Sequence, residues 1–270
     1  METMNPMLNI AIRAARKAGN VIAKGYERRD DLQTTLKSTN DYVTNIDKAS
    51  EEAIIEVIRK SYPDHTIITE ESGALEGKDS DIQWVIDPLD GTTNFVKGLP
   101  HFSVSIAIRV KGRTEVGVVY DPIRNELFTA VRGEGAKIND MRLRVENKRD
   151  LAGTVLTTGF PFKQTRLMPM QFAMMNNLIQ DCADFRRMGS AALDLCYVAA
   201  GRVDGYFEVG VKAWDIAAGD LIVREAGGLV CDFNGGHSYL TSGHLVAAAP
   251  RIVKEILNKI QPCLSDEFKK

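Results

Sequence analysis

Two carboxylates three residues apart stand out in the segment Trp84-Val-Ile-Asp-Pro-Leu-Asp-Gly-Thr-Thr-Asn-Phe95. An apolar run leads into Asp87. Pro88 cannot donate to a sheet ladder and is expected to end strand pairing there. Asp90 follows, then Gly91 for a tight turn, then Thr92 and Thr93 at the expected opening of a short helix. Two neighbouring anions repel unless a cation lies between them. Their hard oxygens favour Mg2+ or Mn2+ over a thiolate-seeking metal. Unpaired N–H groups at the helix start suit a phosphate. A bare D-x-x-D pair is a weak signal, because Asp is common in turns and caps. Strand, Pro, second Asp, Gly and hydroxyls in this order are far more specific.

Two further acidic elements share the chain. Ile67-Ile-Thr-Glu-Glu-Ser-Gly73 brings Glu70 and Glu71 to the end of an apolar strand; taken alone it reads as an exposed acidic turn. Ala213-Trp-Asp-Ile-Ala-Ala-Gly219 puts Asp215 at the expected start of an Ala-rich helix. There it serves as an N-cap, or as a metal ligand if another acidic strand end faces it. Other site chemistries lack their patterns. His65, His101, His237 and His244 show no zinc spacing, and G-x-S-x-G, Walker A and G-x-G-x-x-G are absent.

The elements that must position these groups follow from periodicity. Leu8, Ala11, Ile12, Ala15 and Ile22 predict an amphipathic first helix, and Ala53, Ile54, Val57 and Ile58 a second from about Asp47 to Lys60. Strands are expected at Thr66–Thr69 and Gln83–Ile86, then an antiparallel meander of SVSIAIRV, EVGVVYD and ELFTAV. Thr34–Tyr42 reads as a polar loop. After about residue 145, strands TVLTTGF, Val203–Glu208, LVCDF and LVAAA alternate with helices near Leu167–Cys182, Ala191–Ala200, Asp215–Ala226 and from Pro250. The expected class is α/β, with an α+β half (about 1–145) before an α/β half (146–270) in a single domain.

Composition narrows the function. Lys and Arg number 34 against 36 Asp and Glu, a net charge of −2, which demotes binding to nucleic acid by whole-surface attraction. No segment is long and apolar enough to span a bilayer, and the amino-terminal stretch reads as a helix, not a signal peptide. Cys182, Cys196, Cys231 and Cys263 lack C-x-x-C spacing and suggest reduced thiols in a cytoplasmic protein.

Taken together, these residues resemble the inositol monophosphatase family. The match rests on Glu70-Glu71-Ser72, on Asp87-Pro-Leu-Asp-Gly-Thr-Thr-Asn94, and on Trp214-Asp215 before an Ala/Gly-rich helix. Lys37-Ser-Thr-Asn-Asp-Tyr-Val-Thr-Asn-Ile-Asp47 resembles the family's amino-terminal loop, and Gly189-Ser-Ala-Ala192 its substrate-side helix start. Order and spacing hold over nearly the whole chain, with wording such as FRRMGSAALDL similar to the bacterial SuhB branch.

The resemblance implies a layered α/β/α/β/α sandwich, usually a homodimer, and Mg2+-dependent, Li+-inhibited hydrolysis of inositol 1-phosphate and similar small polyol monoesters. It implies Glu70, Asp87 and the Leu89 carbonyl on one Mg2+, Asp87, Asp90 and Asp215 on a second, and a third, weaker ion leaning on Glu70. Glu70, Asp47 and Thr92 become the catalytic residues, the latter two orienting the attacking water. Gly91 and Thr92 N–H groups would hold phosphate. Asp90, Gly189, Ser190, Ala191 and Glu208 would meet the alcohol, and Lys37 would sit near the metals. Glu208 and the scarcity of bases there favour a neutral polyol, although the directions of Arg186 and Arg187 are undecided. The SuhB branch also implies an alternative, a binding module for transcription antitermination factors and RNA polymerase. Lys137, Arg142, Arg144, Lys148 and Arg149 would supply the surface; interrupted by Asp140, Glu146 and Asp150, they read first as a solvated face.

Overall fold

The computed structural model describes residues 5–28, 32–38 and 41–268, with side chains at all of these except 36–38, 41 and 267. Helix α1 (Pro6–Glu27) is capped by Asn5, whose side chain accepts from the N–H groups of Met7 and Leu8. Strands β1 (Thr34–Ser38) and β2 (Asp41–Thr44) form a hairpin where the sequence had suggested a loop. The side chain of Lys37, expected near the metals, lies outside the described residues. Helix α2 (Asn45–Ser61) follows, with Thr44 as its N-cap.

The next strands are β3 (His65–Thr69), β4 (Gly73–Leu75) and β5 (Asp79–Asp90). The short helix α3 (Thr92–Lys97) then leads to β6 (Ser103–Val110), β7 (Arg113–Asp121), β8 (Glu126–Val131), β9 (Gly135–Ile138) and β10 (Met141–Arg142). These make an eight-stranded sheet in the order β10-β9-β8-β7-β6-β5-β3-β4, in which β3 and β5 are the parallel pair. The expected meander is β6–β7–β8.

A second sheet comes from the later residues. Its elements are β11 (Val155–Thr158), α4 (Met168–Ile179), β12 (Asp184–Arg186), α5 (Ala191–Ala199), β13 (Gly205–Val209) and α6 (Ala213–Glu225). They continue with β14 (Leu229–Cys231), α7 (Tyr239–Ser242), β15 (His244–Ala248) and α8 (Pro250–Ile260). The five strands run β12-β11-β13-β15-β14, with β15 antiparallel to both neighbours.

The layers are α1 and α2, the eight-stranded sheet, α5 and α6, the five-stranded sheet, then α4 and α8. This is the expected α/β/α/β/α sandwich. The middle helices are covered by a sheet on each side, so α6 is buried continuously from Ile216 to Val223 and shows no polar face. Asp220 inside that run is neutralised by Arg224 at 2.7 Å and receives the Tyr239 hydroxyl at 3.0 Å. Strands β6 and β7 are buried on both faces, which explains their near-continuous apolar sequences. Among the described residues no helix is long and apolar enough to cross a membrane.

Two glycines set the spacing of the middle layer. A Cβ at Gly117 of β7 would meet the Ala218 carbonyl oxygen at 2.7 Å, and one at Gly219 of α6 would meet Leu195 Cβ at 2.6 Å. In an exposed helix Gly→Ala gains about 1 kcal/mol from propensity. Here overpacking of about 1–3 kcal/mol opposes it. Gly219→Ala is therefore expected to lower the unfolding free energy by up to about 2 kcal/mol, read as a lower urea midpoint at unchanged slope. A raised midpoint would mean that the two helices are not in rigid contact.

Candidate active site

Side chains alternate across a strand, so Asp87 and Asp90, three residues apart, would ordinarily face opposite sides of the sheet. An irregularity reverses this. β5 pairs with β6 as far as Asp87↔Ser105, shifts register, and pairs again at Asp90↔Ser103. Pro88 therefore does not end the strand, contrary to the sequence expectation. Its missing N–H falls inside a bulge, where no ladder bond is required. The extra residue brings Asp87, the Leu89 backbone and Asp90 to one cavity. Asp87 Oδ1 accepts from the Leu89 N–H at 3.0 Å, and the Ser50 hydroxyl donates to the Pro88 carbonyl at 2.7 Å. Those two bonds fix the bulge from within and from α2.

Gly91 then turns the chain with φ +95°. A side chain there would be strained by conformation and would also press on the Gly189 carbonyl at 3.2 Å. Thr92 opens α3, and its hydroxyl lies 2.9 Å from Asp47 Oδ1 and 3.0 Å from the Leu89 carbonyl. A hydroxyl has one proton to give, so these two acceptors compete for it. Asp47 Oδ2 is already held by the Thr44 N–H at 2.8 Å and the Thr44 hydroxyl at 2.5 Å. Burial raises the Asp47 carboxyl above the ordinary range, against those hydrogen bonds.

Glu70 lines the cavity at the end of β3, whereas Glu71 does not. The turn that carries them is held by a residue absent from the sequence expectation, Glu51. Buried on α2, Glu51 accepts from the Glu71 N–H at 3.2 Å, from the Ser72 N–H at 3.4 Å and from the Ser72 hydroxyl. A signal existed: Asp47, Ser50 and Glu51 share helical spacing with Ile54 and Ile58, so three polar groups ride on the inward stripe.

Asp215 occupies the third position of α6, not its N-cap, and its Oδ2 accepts from the Lys212 N–H at 2.7 Å. Asp90 Oδ2 accepts from the Ser190 hydroxyl at 2.6 Å and the Ala192 N–H at 2.8 Å, so one carboxylate oxygen is spent on the start of α5. Burial lifts the Asp90 carboxyl to about 6 despite these bonds. Asp87 is pushed well up by burial and then by Glu70, Asp90 and Asp215; Asp215 is pushed well up by burial, Asp90 and Glu70.

The far wall holds Glu208 on β13, with Gly189, Ser190 and Ala191 beside it. Among the expected site residues whose side chains are described, Asp47 does not itself line the cavity; it reaches it through Thr92. Arg187 faces the rim, its guanidinium 5.5 Å from the Phe162 ring, while Arg186 pairs with Asp184 at 2.5 Å and is not part of the lining. Asp194, Tyr42, Phe160 and Lys212 also line the cavity and were not expected. Asp194 is fully enclosed, bonded to the Thr157 hydroxyl at 2.9 Å, and pushed well up by burial and by Glu208. The cavity, about 220 Å³, suits a small ester and its ions.

Glu208 supplies a pH dependence. Burial raises its carboxyl from 4.5 to about 7, opposed by the Tyr206 hydroxyl and Arg187 and aided by Asp90. A raised acid binds its proton more tightly when folded. Its contribution to stability is therefore present below about 4.5 and lost as pH rises through about 7. In metal-free protein, Glu208→Gln is expected to flatten the decline in Tm over that window. An equally steep decline in the variant would place the titration elsewhere.

Among the described residues no three acidic, imidazole or thiol groups stand close enough to enclose an ion as they are. The chemistry of the donor set nevertheless fits a hard divalent cation: Glu70, Asp87, Asp90, Asp215 and the Leu89 carbonyl are all oxygen, mostly anionic, and mutually repelling. Residues 3–265 match the inositol monophosphatase family. A relative in Haemophilus influenzae, Nus factor SuhB, is 78% identical over 265 residues, covering 98% of this chain and 99% of that one. The crystal structure of the extragenic suppressor protein SuhB from Bartonella henselae superposes with a TM-score of 0.93 at 40% identity, over 95% of this chain and 99% of that one. Inositol monophosphatase from Anabaena gives 0.85 at 37% identity, over 95% of each chain. By that match over residues 3–265 and by these likenesses over nearly the whole chain, this protein belongs to the inositol monophosphatase family.

Proposed function

We propose that the chain is a cytoplasmic Mg2+-dependent phosphomonoesterase that hydrolyses inositol 1-phosphate and similar small polyol monophosphates, with a second copy of itself as partner. The observation that carries this reading is the β5 bulge. It puts Asp87, the Leu89 carbonyl and Asp90 on the same cavity as Glu70, Asp215, the Gly91 turn and Thr92. Glu70, Asp87 and the Leu89 carbonyl would hold one Mg2+, Asp87, Asp90 and Asp215 a second, and Glu70 would contribute to a third. When bound, Mg2+ neutralises the phosphate dianion, acidifies water and steadies the leaving oxygen.

The chain's own groups do the rest. Gly91 and Thr92 N–H groups bind phosphate oxygens at the turn. Asp47 accepts the hydrogen bond that the Thr92 hydroxyl donates, which frees the Leu89 carbonyl and leaves the lone pairs of the Thr92 oxygen able to accept from the attacking water. Asp90 and Glu208, with Gly189, Ser190 and Ala191, face the alcohol. No side-chain nucleophile is needed, in keeping with the absent serine and cysteine motifs. Asp90→Asn is expected to lower Mg2+-dependent phosphate release by roughly three orders of magnitude, about 4 kcal/mol of transition-state stabilisation, with the fold kept. Near-wild-type turnover in that variant would overturn the ligand set.

The name of the Haemophilus influenzae relative favours a second role, association with transcription antitermination factors and RNA polymerase. Arg142, Arg144 and Arg149 are exposed and offer a basic edge along and just after β10, whereas Lys148 is turned toward Asp204 at 3.6 Å and Glu146 at 4.0 Å. Reversing Arg142 and Arg144 to Glu is expected to keep phosphate release within about twofold and to weaken capture of RNA polymerase about tenfold at low salt. Undiminished capture would remove this face from the interaction.

A further inference from the structure

We infer that Tyr206 and Gly159 are positioning residues that set Glu208 against the alcohol of the substrate and thereby decide which esters the cavity prefers. The inference rests on the phosphomonoesterase reading above and deepens it. Tyr206 and Glu208 stand two apart on β13 and so share one face of the strand. Tyr206 is fully buried and donates its hydroxyl to Glu208 Oε2 at 2.6 Å. Among the described residues no protein group donates to Oε1, which is left to the cavity.

Gly159 fixes the other side of the same carboxylate. A Cβ at this position would stand 2.0 Å from Glu208 Oε1 and 2.3 Å from Oε2. Gly159 is not among the residues with positive φ, so what it provides here is space and not a special backbone conformation. The carboxylate rests flat on bare backbone, and any side chain at 159 must displace it. That backbone is itself locked. Gln171 on α4 is wholly buried and donates to the Gly159 carbonyl at 3.1 Å and to the Thr158 hydroxyl at 2.8 Å. The Thr158 hydroxyl in turn donates to the Phe207 carbonyl at 2.6 Å. Glu208 is thus held between a hydroxyl on its own strand and a fixed backbone on the neighbouring one.

A carboxylate oxygen held in this way accepts a hydrogen bond from a hydroxyl of the alcohol. A polyol monophosphate offers such a hydroxyl; an aryl phosphate does not. A site built to bond a hydroxyl rejects an analogue that lacks it, because its own polar group is left unpaired. Tyr206→Phe releases the carboxylate to rotate, and Gly159→Ala pushes it toward the cavity. Both changes act on recognition of the alcohol and not on chemistry at phosphorus.

The test compares kcat and KM on inositol 1-phosphate and on p-nitrophenyl phosphate with saturating Mg2+. The proteins are the wild type, Tyr206→Phe and Gly159→Ala, with Glu208→Gln as the reference for lost recognition. Both positioning variants are expected to raise KM for the inositol ester about five- to twentyfold with kcat within about twofold. The aryl ester, turned over within about twofold of wild type, reports that the variants are folded. Unchanged KM for the inositol ester, or equal losses on both esters, would overturn the positioning role. A wild type that shows no preference for the inositol ester would instead overturn the polyol phosphatase reading, and the inference with it.

Discussion

Mutual repulsion among buried carboxylates is the constraint around which this molecule is arranged. Glu70, Asp87, Asp90 and Asp215 line a single small cavity, and each of the three aspartates is raised above its ordinary range, burial being the largest cause. Such a cluster is unfavourable unless rigid structure holds it in place, and it gains only when positive charge enters. Nearly every unusual local feature serves to hold it. The β5 bulge turns Asp87 and Asp90 to the same side, Glu51 holds the turn that carries Glu70, Ser190 and the start of α5 hold Asp90, and the Lys212 N–H holds Asp215. An acidic cavity also repels a phosphate dianion by itself, so substrate entry and metal entry are linked by charge.

The layered fold is what makes those contacts meet. Asp87 and Asp90 come from the eight-stranded sheet, Asp215 from a central helix, and Glu208 from the five-stranded sheet. The central helices α5 and α6 lie between the two sheets and bring their amino-terminal ends to the cavity. Small residues permit that closeness, since Gly117 of β7 and Gly219 of α6 leave no room for a Cβ against Ala218 and Leu195. Stability of the middle layer and geometry of the cavity therefore share the same packing contacts.

The two walls of the cavity differ in what they tolerate. On one wall, Asp87, Asp90 and Asp215 are each fixed in direction by backbone N–H or hydroxyl donors. On the other, Glu208 is held by Tyr206 and Gly159, with Asp194 enclosed behind it and Arg187 at the rim. Arg187 puts a cation near a wall that the sequence, through Glu208 and a scarcity of bases, suggested was suited to a neutral alcohol, with the direction of Arg187 undecided. The wall holds charges of both signs, so its preference depends on how each is oriented, not on net charge.

The sequence by itself determined the chemistry and the class of fold. An ordered string from Trp84 to Asn94, with Glu70 and Asp215 at fixed places, named the carboxylates that meet in one cavity, because residue type and local spacing are properties of the chain. Amphipathic and alternating patterns likewise identified the two amino-terminal helices and the β6–β8 meander, because one buried face leaves a period in the sequence. Three things only the tertiary structure decided. Pro88 was expected to end a strand, yet a neighbouring strand re-pairs beyond it, and pairing partners are not written locally. The hairpin at Thr34–Thr44 was expected as a loop, since its polar residues carry no burial period. Glu51 left a trace as a polar group on the inward stripe of α2, but the turn it holds belongs to another strand; Asp194, Tyr206 and Gly159 were silent because their roles depend on a neighbouring carboxylate or on the space where a side chain would otherwise stand.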